Sequence, residues 1–327
     1  MNFKRKLLLL LISFSIILPI NVWAYSKYLI PGGENIGIKV NADGAYVVGF
    51  YKVNGHEIAK EAGLEIGDRI ISINDQKIDS VNDLLNHISS NKNILNVKMV
   101  FVRNDKINST NLSLKKDQDG TYKTGIYVKD SITGIGTITY IDPTNNSYGA
   151  LGHEIIDTNT GVNFKIKKGN IFASSIVSIT KASFNKPGEK NAKLKTSQVL
   201  GNIEKNIETG IYGKLEKRIS DSKILPVAEI SEVKIGNAEI ITVLEGNKKE
   251  TFKIEILSID QNNPTKNFLF KVIDQKLLDK TGGVVKGMSG SPIIQDGKII
   301  GAVTHTILDN PQKGYGISII KMLESIE

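Results

Sequence analysis

The glycine- and serine-rich stretch from Gly287 to Pro292 constrains the fold more than any other part of this chain. It reads Gly-Met-Ser-Gly-Ser-Pro, and two apolar runs separated by Asp296-Gly297 follow it. Asp-Gly between two apolar runs predicts a tight β-hairpin. Glycines around Ser289 let the backbone turn so that the N–H groups of Gly287 and Ser289 point into one hole. The pattern predicts a serine nucleophile at Ser289 with an oxyanion hole made by those two N–H groups, the alternative being a turn without chemistry.

A serine nucleophile needs a general base, and the chain has only four histidines. His56 and His87 lie in a separate N-terminal region, where both are expected to be ordinary surface residues. His153 follows a predicted strand in Ala-Leu-Gly-His, 136 residues before Ser289. That separation is enough to place the two residues on different halves of a domain. We therefore predict that His153 is the base.

The strand that returns from the hairpin carries Thr304, His305 and Thr306. Because this strand follows the nucleophile turn, it is predicted to line the substrate cleft, and His305 is expected to contact substrate. The turn at 287–292 resembles the nucleophile loop of chymotrypsin-type serine proteases, and that resemblance implies that Thr306 stands where a glycine would keep a primary pocket open. The sequence therefore predicts a narrow primary pocket.

A carboxylate is expected to orient the histidine and to stabilise its charged form. Five aspartates lie between the histidine and the serine: Asp157, Asp221, Asp260, Asp274 and Asp279. Asp274 directly follows an apolar run, which suits a position at a strand end, whereas the others lie in more polar surroundings. Spacing alone leaves the choice among them open.

From residue 120 to residue 327 the chain consists of short apolar runs separated by Gly, Asn and Asp turns. Strands are predicted at 134–141, 163–166 and 171–176, and a hairpin at 238–256, with a helix only at 317–326. About 200 residues of short strands suit two packed β-barrels. A cleft between two barrels would bring together a histidine from one barrel and a serine from the other.

Residues 28–115 have a different pattern, with a glycine-rich loop, several strands and an amphipathic helix that carries Val81, Leu84, Leu85 and Ile88. The stretch 62–74, Ala-Gly-Leu-Glu-Ile-Gly-Asp-Arg-Ile-Ile-Ser-Ile-Asn, resembles the signature of bacterial PDZ domains. That resemblance implies an α+β domain in which backbone N–H groups of Ile36, Gly37 and Ile38 take a peptide carboxylate and the following strand accepts the peptide by β-augmentation. The alternative is a PDZ domain that only packs against its neighbour.

The first 26 residues have the pattern of an export signal. Lys4, Arg5 and Lys6 precede an uncharged run from Leu7 to Ser26. The run is long enough to span a bilayer, so an uncleaved membrane anchor is the alternative to a cleaved signal peptide. An export segment of either kind predicts that the remaining domains lie outside the cytoplasm.

Composition excludes several kinds of chemistry. The chain has no cysteine, so stability must come from core packing and thiol catalysis is ruled out. The net charge of +8 includes the three positive residues of the export segment, and no basic stripe with interleaved aromatics is present, so nucleic acid is not expected as a partner. No metal-binding or phosphate-loop motif occurs. We expect no metal site and no cofactor.

Taken together, the export segment, the PDZ-like region, Ala-Leu-Gly-His-Glu-Ile at 150–155 and the stretch 281–292 resemble the SpoIVB peptidase family of stage IV sporulation proteins. The resemblance covers nearly the whole chain and implies a chymotrypsin-like double β-barrel after an N-terminal PDZ domain. It also implies a catalytic triad of Ser289, His153 and Asp274, and thus favours Asp274 among the open candidates.

The resemblance implies a biological role as well. Members of the family are exported into the space between the two forespore membranes and cleave themselves near the N-terminus. They then cut a membrane-bound regulatory protein, SpoIVFA in the best-known case, which leads to processing of pro-sigma-K. The PDZ domain is expected to bind the chain's own N-terminal segment. Two alternatives remain: a quality-control protease of the HtrA type, which places PDZ after the peptidase, and an exported PDZ scaffold with an inactive peptidase domain.

Overall fold

The computed structural model describes residues 25–90, 95–158, 160–217 and 223–326, with Ser90 described by its backbone only. The predicted export segment 1–26 therefore lies almost entirely outside the described residues, and so does Asp221. Within the described ranges, no helix is both long enough and apolar enough to cross a membrane.

The chain is mainly β, as the sequence predicts. The strands are β1 Tyr28–Pro31, β2 Asn35–Phe50, β3 Arg69–Ile73, β4 Gln76–Lys77, β5 Asn96–Arg103, β6 Lys106–Ser113, β7 Lys115–Lys116, β8 Tyr122–Lys123, β9 Ile126–Ile141, β10 Ser147–Ala150, β11 Ile166–Thr180, β12 Glu189–Ile203, β13 Lys205–Ile207, β14 Gly210–Lys214, β15 Leu225–Pro226, β16 Gly236–Val243, β17 Lys249–Ile259, β18 Phe268–Val272, β19 Pro292–Gln295, β20 Lys298–Thr306 and β21 Lys313–Ser318. The helices are α1 Ile58–Glu61, α2 Val81–Ser90, α3 Gln275–Thr281 and α4 Ile319–Glu324, with a 3-10 turn at Ile230–Glu232.

The C-terminal barrel closes in the order β16-β17-β18-β21-β20-β19, and β19 pairs back with β16. Alternate residues of each strand point inward, and Phe252, Phe268 and Phe270 fill the interior. The predicted hairpin is confirmed between β19 and β20, where Asp296 has φ 50° and Gly297 has φ 75°. Two consecutive positive φ values are typical of the tightest hairpin turn, which Asp-Gly favours.

The N-terminal barrel is formed by β9, β2, β11, β12, β14 and β10. Antiparallel pairing runs from β14 through β10, β9, β2 and β11 to β12. The bridge between Gly201 and Leu215 joins β12 back to the end of β14. Isoleucines of β2, β9 and β11 form the interior together with Tyr148. The predicted double-barrel fold class is thus confirmed.

The PDZ unit is inserted into the N-terminal barrel. Its core is formed by β3, β5, β6, α1 and α2, together with the second half of β2 and the first half of β9. Strand β2 pairs with β9 from Asn35–Thr137 in the barrel to Phe50–Ile126 in the PDZ unit. Residues 28–42 therefore pack in the barrel, although the predicted PDZ domain begins at residue 28. Because β2 and β9 both continue from the barrel into the PDZ unit, they form a long two-stranded ribbon that joins the two units.

This ribbon corrects the predicted peptide site of the PDZ unit. Ile36, Gly37 and Ile38 pair with β9 on one side and with β11 on the other. Both edges of this part of β2 are occupied, so no peptide strand can add there. The PDZ signature stretch at 62–74 runs from the C-cap of α1 through β3 of the inserted unit.

A long hairpin, which we call the β11–β12 arm (residues 173–195), reaches from the N-terminal barrel onto the C-terminal barrel. Ala182 N donates to Thr281 O at 2.8 Å, and Lys190 N donates to Lys286 O at 3.0 Å. The predicted strand 171–176 lies within β11, whereas the predicted strand 163–166 overlaps β11 only at Ile166. Asn163 forms an isolated bridge with Ile156. The arm therefore contacts the segment that precedes Ser289.

Candidate active site

The turn around Ser289 needs its two flanking glycines. Gly287 and Gly290 both have φ +91°, a conformation that other residues rarely adopt. A Cβ atom on Gly290 would also overlap with the carbonyl oxygen of Thr137 on β9. Thr137 N in turn donates to Ser289 O at 2.9 Å, and Thr137 Oγ1 donates to Gly287 O at 2.8 Å. The N-terminal barrel thus fixes the turn that the C-terminal barrel presents.

The two predicted oxyanion donors are free to act. Within the described ranges, neither the N–H group of Gly287 nor that of Ser289 donates a hydrogen bond. The Gly287 carbonyl accepts from Thr137 Oγ1, which leaves the N–H group of Gly287 available to another acceptor. Unpaired backbone N–H groups beside a serine hydroxyl are the geometry that stabilises a developing oxyanion.

His153 lies directly after β10 in a tight turn. Leu151 and Gly152 both have φ 70°, and a Cβ atom on Gly152 would lie 2.8 Å from Cγ2 of Thr304. Gly152 therefore lets the histidine loop approach β20 closely. On the other side, Asn206 holds the loop through two hydrogen bonds to Ile155, with Oδ1 accepting from N at 2.7 Å and Nδ2 donating to O at 3.1 Å.

The ring of His153 is held in one tautomer. Its Nδ1 lies 2.8 Å from the carbonyl oxygen of Glu154. Because a carbonyl oxygen can only accept, Nδ1 must carry the proton, and Nε2 of the neutral ring keeps its lone pair. Burial lowers the pKa of His153 below its ordinary value, and the contact with the Glu154 carbonyl opposes part of this shift. The ring is therefore neutral near pH 7, with Nε2 able to accept a proton.

Strand β20 brings the serine and the histidine together. Ser289 Oγ donates to Thr304 O at 2.8 Å, and the rings of His305 and His153 are 5.4 Å apart between centroids. Burial and the neighbouring His153 ring lower the pKa of His305 to about 4. Among the hydrogen bonds of the described residues, none joins Ser289 to His153 directly. Ser289 thus contacts the backbone of Thr304 and His153 faces the ring of the next residue, His305, with the serine hydroxyl turned towards a carbonyl.

Asp274 does not contact His153 in this structure, and this corrects the predicted triad geometry. Its Oδ1 accepts from Leu277 N at 3.1 Å and its Oδ2 accepts from Lys253 N at 3.3 Å. The aspartate therefore caps the N-terminus of α3, a role that suits a carboxylate at a strand-to-helix junction. The Nδ1 partner expected from a carboxylate is instead the Glu154 carbonyl. The hydroxyl of Thr304 donates to Tyr315 O at 3.1 Å and makes no hydrogen bond to Asp274.

The remaining described aspartates also have other partners. Asp157 is buried and accepts from Lys129 Nζ at 2.7 Å, Asp260 accepts from the backbone of its own turn, and Asp279 accepts from Gln275. None of these hydrogen bonds involves His153. The positioning contacts that the sequence did not reveal are a backbone carbonyl and Asn206, neither of which belongs to the residue types searched for.

Val284, five residues before Ser289, packs closely against two neighbouring segments. Val284 N donates to Pro311 O at 2.7 Å, and a Cβ atom on Gly314 would lie 3.0 Å from Cγ2 of Val284. Thr306 is half-buried at the end of β20. The narrow primary pocket stays a prediction. A larger cavity of about 580 Å³ lies on the outer side of the C-terminal barrel and includes none of the predicted catalytic residues.

A buried lysine supports the nucleophile turn, and sequence reasoning did not find it. Lys190 on the arm is 1% exposed and donates from Nζ to Thr242 Oγ1 at 2.7 Å. Ser291 Oγ donates to the same hydroxyl at 3.0 Å. Burial lowers the pKa of Lys190 to about 7. Three distant segments meet at Thr242, and no local sequence pattern marks such a meeting.

Two protein-family models match the chain. The family model for SpoIVB peptidase S55 matches residues 120–323, and the model for a PDZ domain matches residues 35–114. No curated protein matches the chain.

Among solved structures, the chain is similar to the PDZ domain of an SdrC-like protein from Listeria monocytogenes, with 28% identity, coverage of 27% of this chain and 90% of that one, and a TM-score of 0.24. It is also similar to the active form of the Rv3671c protease from M. tuberculosis, with 16% identity, coverage of 58% and 71%, and a TM-score of 0.31. Human heparin binding protein is similar at 11% identity, with coverage of 58% and 83% and a TM-score of 0.31. The family match spans more than half of the chain and contains His153, Asp274 and Ser289. The chain therefore belongs to the SpoIVB peptidase S55 family, and it is a serine peptidase that carries a PDZ domain.

Proposed function

We propose that the protein is an exported endopeptidase in which Ser289 is the nucleophile, His153 is the general base, and the N–H groups of Gly287 and Ser289 bind the oxyanion. The observation that carries this proposal is the meeting of Ser289 and His153 at Thr304 and His305, beside two unpaired backbone N–H groups. This arrangement supports acyl transfer with a serine nucleophile.

In the reaction, Ser289 Oγ attacks the substrate carbonyl carbon while its proton passes to Nε2 of His153. The Glu154 carbonyl holds Nδ1–H and so keeps Nε2 available for this proton. The imidazolium then donates the proton to the leaving amine, and water completes hydrolysis through the same base. The serine hydroxyl must first leave Thr304 O, which requires rotation about one side-chain bond. Asp274 is not assigned a step, because Oδ1 accepts from Leu277 N at the start of α3, Oδ2 accepts from Lys253 N on β17, and neither oxygen contacts His153.

We further propose, from family membership, that the enzyme cleaves itself near the N-terminus and then cuts a membrane-bound regulator resembling SpoIVFA. In this proposal the protein acts between the forespore membranes and signals sigma-K activation during spore formation. Residues 1–26 direct export or hold the chain transiently at the membrane. The PDZ unit holds the chain's own N-terminal segment before self-cleavage, which raises the local concentration of that segment near the cleft.

Expression of the full chain and of a Ser289→Ala variant tests the enzyme. Fragments are followed by mass spectrometry, and a serine-reactive phosphonate is added to each protein. Cleavage near the N-terminus and labelling of Ser289 in the wild type alone are expected. If neither occurs, the exported-scaffold alternative takes the place of this proposal.

A further inference from the structure

Strand β9 has one edge that is paired along its whole length and one that is not. On one side it pairs with β2 from Ile126 to Thr137. On the other side, β10 pairs with it only from Ile138 onwards. Within the described ranges, no strand pairs with this second edge between Ile126 and Gly136. We call residues 126–135 of this side the open edge of β9. Unpaired strand edges are ready-made templates for another extended chain.

Two features that are suited to bind a peptide lie beside the open edge. In the PDZ unit, α2 lies against β2 and β9, and Val81 N donates to Asp130 Oδ2 at 2.9 Å. Leu85 on the same helix is 55% exposed, an apolar residue without a covering partner in the described chain. In the barrel, residues 133–135 form one wall of a groove of about 290 Å³, and residues 189–194 of the arm contribute to its lining.

The groove adjoins the nucleophile turn. A Cβ atom on Gly287 would lie 3.0 Å from Cδ1 of Ile135 and 3.2 Å from Cβ of Lys190, so both sides of the groove contact this glycine. Just beyond the groove, Thr137 N pairs with Ser289 O. The open edge therefore begins at the PDZ helix and ends at the predicted catalytic serine.

The direction of a bound substrate follows from the positions of β20 and of the open edge of β9 on opposite sides of Ser289. The N-terminal part of the substrate is predicted to lie along Thr304–Thr306. Its C-terminal part then leaves the opposite side of Ser289 and runs towards Ile126, against the direction of β9. Antiparallel pairing suits an added edge strand, and ten residues of β9 span about 33 Å.

Resting on the proposed function, we propose that the open edge of β9 binds the extended segment of the substrate that follows the cleaved bond. One strand thereby links peptide recognition by the PDZ unit to cleavage at Ser289. Both edges of Ile36–Ile38 are occupied, and of the two edges of the PDZ sheet it is the β9 edge that leads to Ser289, so we assign β-augmentation to this edge. Efficient cleavage then requires about ten extended residues on the C-terminal side of the cut.

Binding can be tested without catalysis in the full chain carrying Ser289→Ala. The probe is a fluorescein-labelled ten-residue peptide of alternating valine and glutamate, followed by fluorescence anisotropy. Two further probes carry N-methyl groups on alternate residues, one in each frame. We expect one frame to bind like the parent and the other at least tenfold more weakly, because only every second amide faces β9. Absence of binding, or equal binding of both frames, would overturn the proposal.

A matched pair of variants locates the site. Leu85→Asp on α2 is expected to weaken binding of the ten-residue probe at least fivefold. Ile107→Asp is the control, because Ile107 is 73% exposed on β6 at the other edge of the PDZ sheet. Equal effects of the two variants would contradict the assignment to the α2 side.

Cleavage rates of the wild-type enzyme distinguish a failure of this proposal from a failure of the proposed function. Peptides that share the residues before the self-cleavage site carry two, six or ten residues after it. We expect kcat/KM to rise at least tenfold from the shortest to the longest. If all three are cleaved equally well, the peptidase function stands and the role of the open edge is lost. If no peptide is cleaved and Ser289 is not labelled by the phosphonate, the proposed function fails, while the anisotropy result still decides the binding site.

Discussion

Ser289 Oγ donates to the carbonyl oxygen of Thr304 at 2.8 Å, while Nδ1 of His153 lies 2.8 Å from the Glu154 carbonyl. The nucleophile and the base are therefore each held by a backbone carbonyl. The contact between His153 and the Glu154 carbonyl prepares the histidine for proton transfer. The hydrogen bond between Ser289 and the Thr304 carbonyl must break before attack. Each of the following predictions depends on one contact of this site or its support.

Ser289 and its neighbour Ser291 should respond very differently to alanine. Ser289→Ala removes the proposed nucleophile, and we expect self-cleavage and a substrate kcat/KM at least about 10⁴-fold lower. Ser291→Ala removes only a buried hydrogen bond to Thr242, which should lower the free energy of unfolding by about 1 kcal/mol. Phosphonate labelling and urea unfolding check both variants. Loss of labelling in Ser291→Ala with retention in Ser289→Ala would reverse the assignment.

The activity should persist to a lower pH than an ordinary histidine base allows. The base acts when neutral, and burial lowers the pKa of His153 below its ordinary value of 6.5. The acid limb of kcat/KM should therefore have its midpoint below 6.5, and it should remain in His305→Gln. Since the folded-state pKa is lower than the unfolded one, this group's contribution to stability is complete above pH 6.5 and is lost as the pH falls below it. A midpoint at or above 6.5 would contradict the buried neutral ring.

Asp274→Asn tests the capping role against the catalytic role. Asparagine is also a good N-cap but cannot accept from both Leu277 N and Lys253 N, so we expect the free energy of unfolding to fall by less than about 1 kcal/mol and the activity to stay within a few fold of the wild type. Asp274→Ala should lower the free energy of unfolding by about 1 kcal/mol, because α3 loses its cap. Thermal unfolding and the initial rate of phosphonate labelling measure the two effects. A loss of about 10⁴-fold in Asp274→Asn with normal stability would mean that the carboxylate reaches His153 during catalysis.

Gly290→Ala should inactivate the enzyme through the backbone. The added Cβ atom overlaps with Thr137 O, and the φ of +91° is strained for alanine. We expect a loss of stability above about 2 kcal/mol and no labelling of Ser289. Gly297→Ala is the control, since its φ of +75° is also positive but no atom lies within 4 Å of the added Cβ. That variant should lose only about 1 kcal/mol and keep its activity.

Lys190→Met should change the pH dependence of stability. Burial lowers the pKa of this lysine from 10.5 to about 7, so the unfolded chain binds a proton that the folded chain does not between these values. The contribution of Lys190 to stability therefore falls as the pH is lowered from about 10 to about 7. We expect Lys190→Met to gain about 2–3 kcal/mol relative to the wild type between pH 9 and pH 7 in urea unfolding. The exposed Lys193→Met should show no such change.

Local sequence patterns were sufficient to predict the elements that depend only on residues close by in the chain. The Asp296-Gly297 hairpin, the amphipathic helix α2 and the glycines around Ser289 all depend on neighbouring residues, so their patterns predicted them. The histidine was also identifiable, because a nucleophile requires a base and few histidines were available. The double barrel followed from the spacing of short strands and turns.

Tertiary structure alone decided how these elements combine. Strand β2 continues through 35–50 because pairing with β9 and β11 in the barrel outweighs the local turn signal that suggested a PDZ loop at Ile36–Ile38. Asp274 became a helix cap because the N–H groups of Leu277 and Lys253 lie nearer to it than His153 does in the folded chain. Partners such as the Glu154 carbonyl, Thr137 and Lys190 are defined by contacts between distant segments. Side-chain identity determines which chemistry is available, but only long-range pairing determines which groups meet.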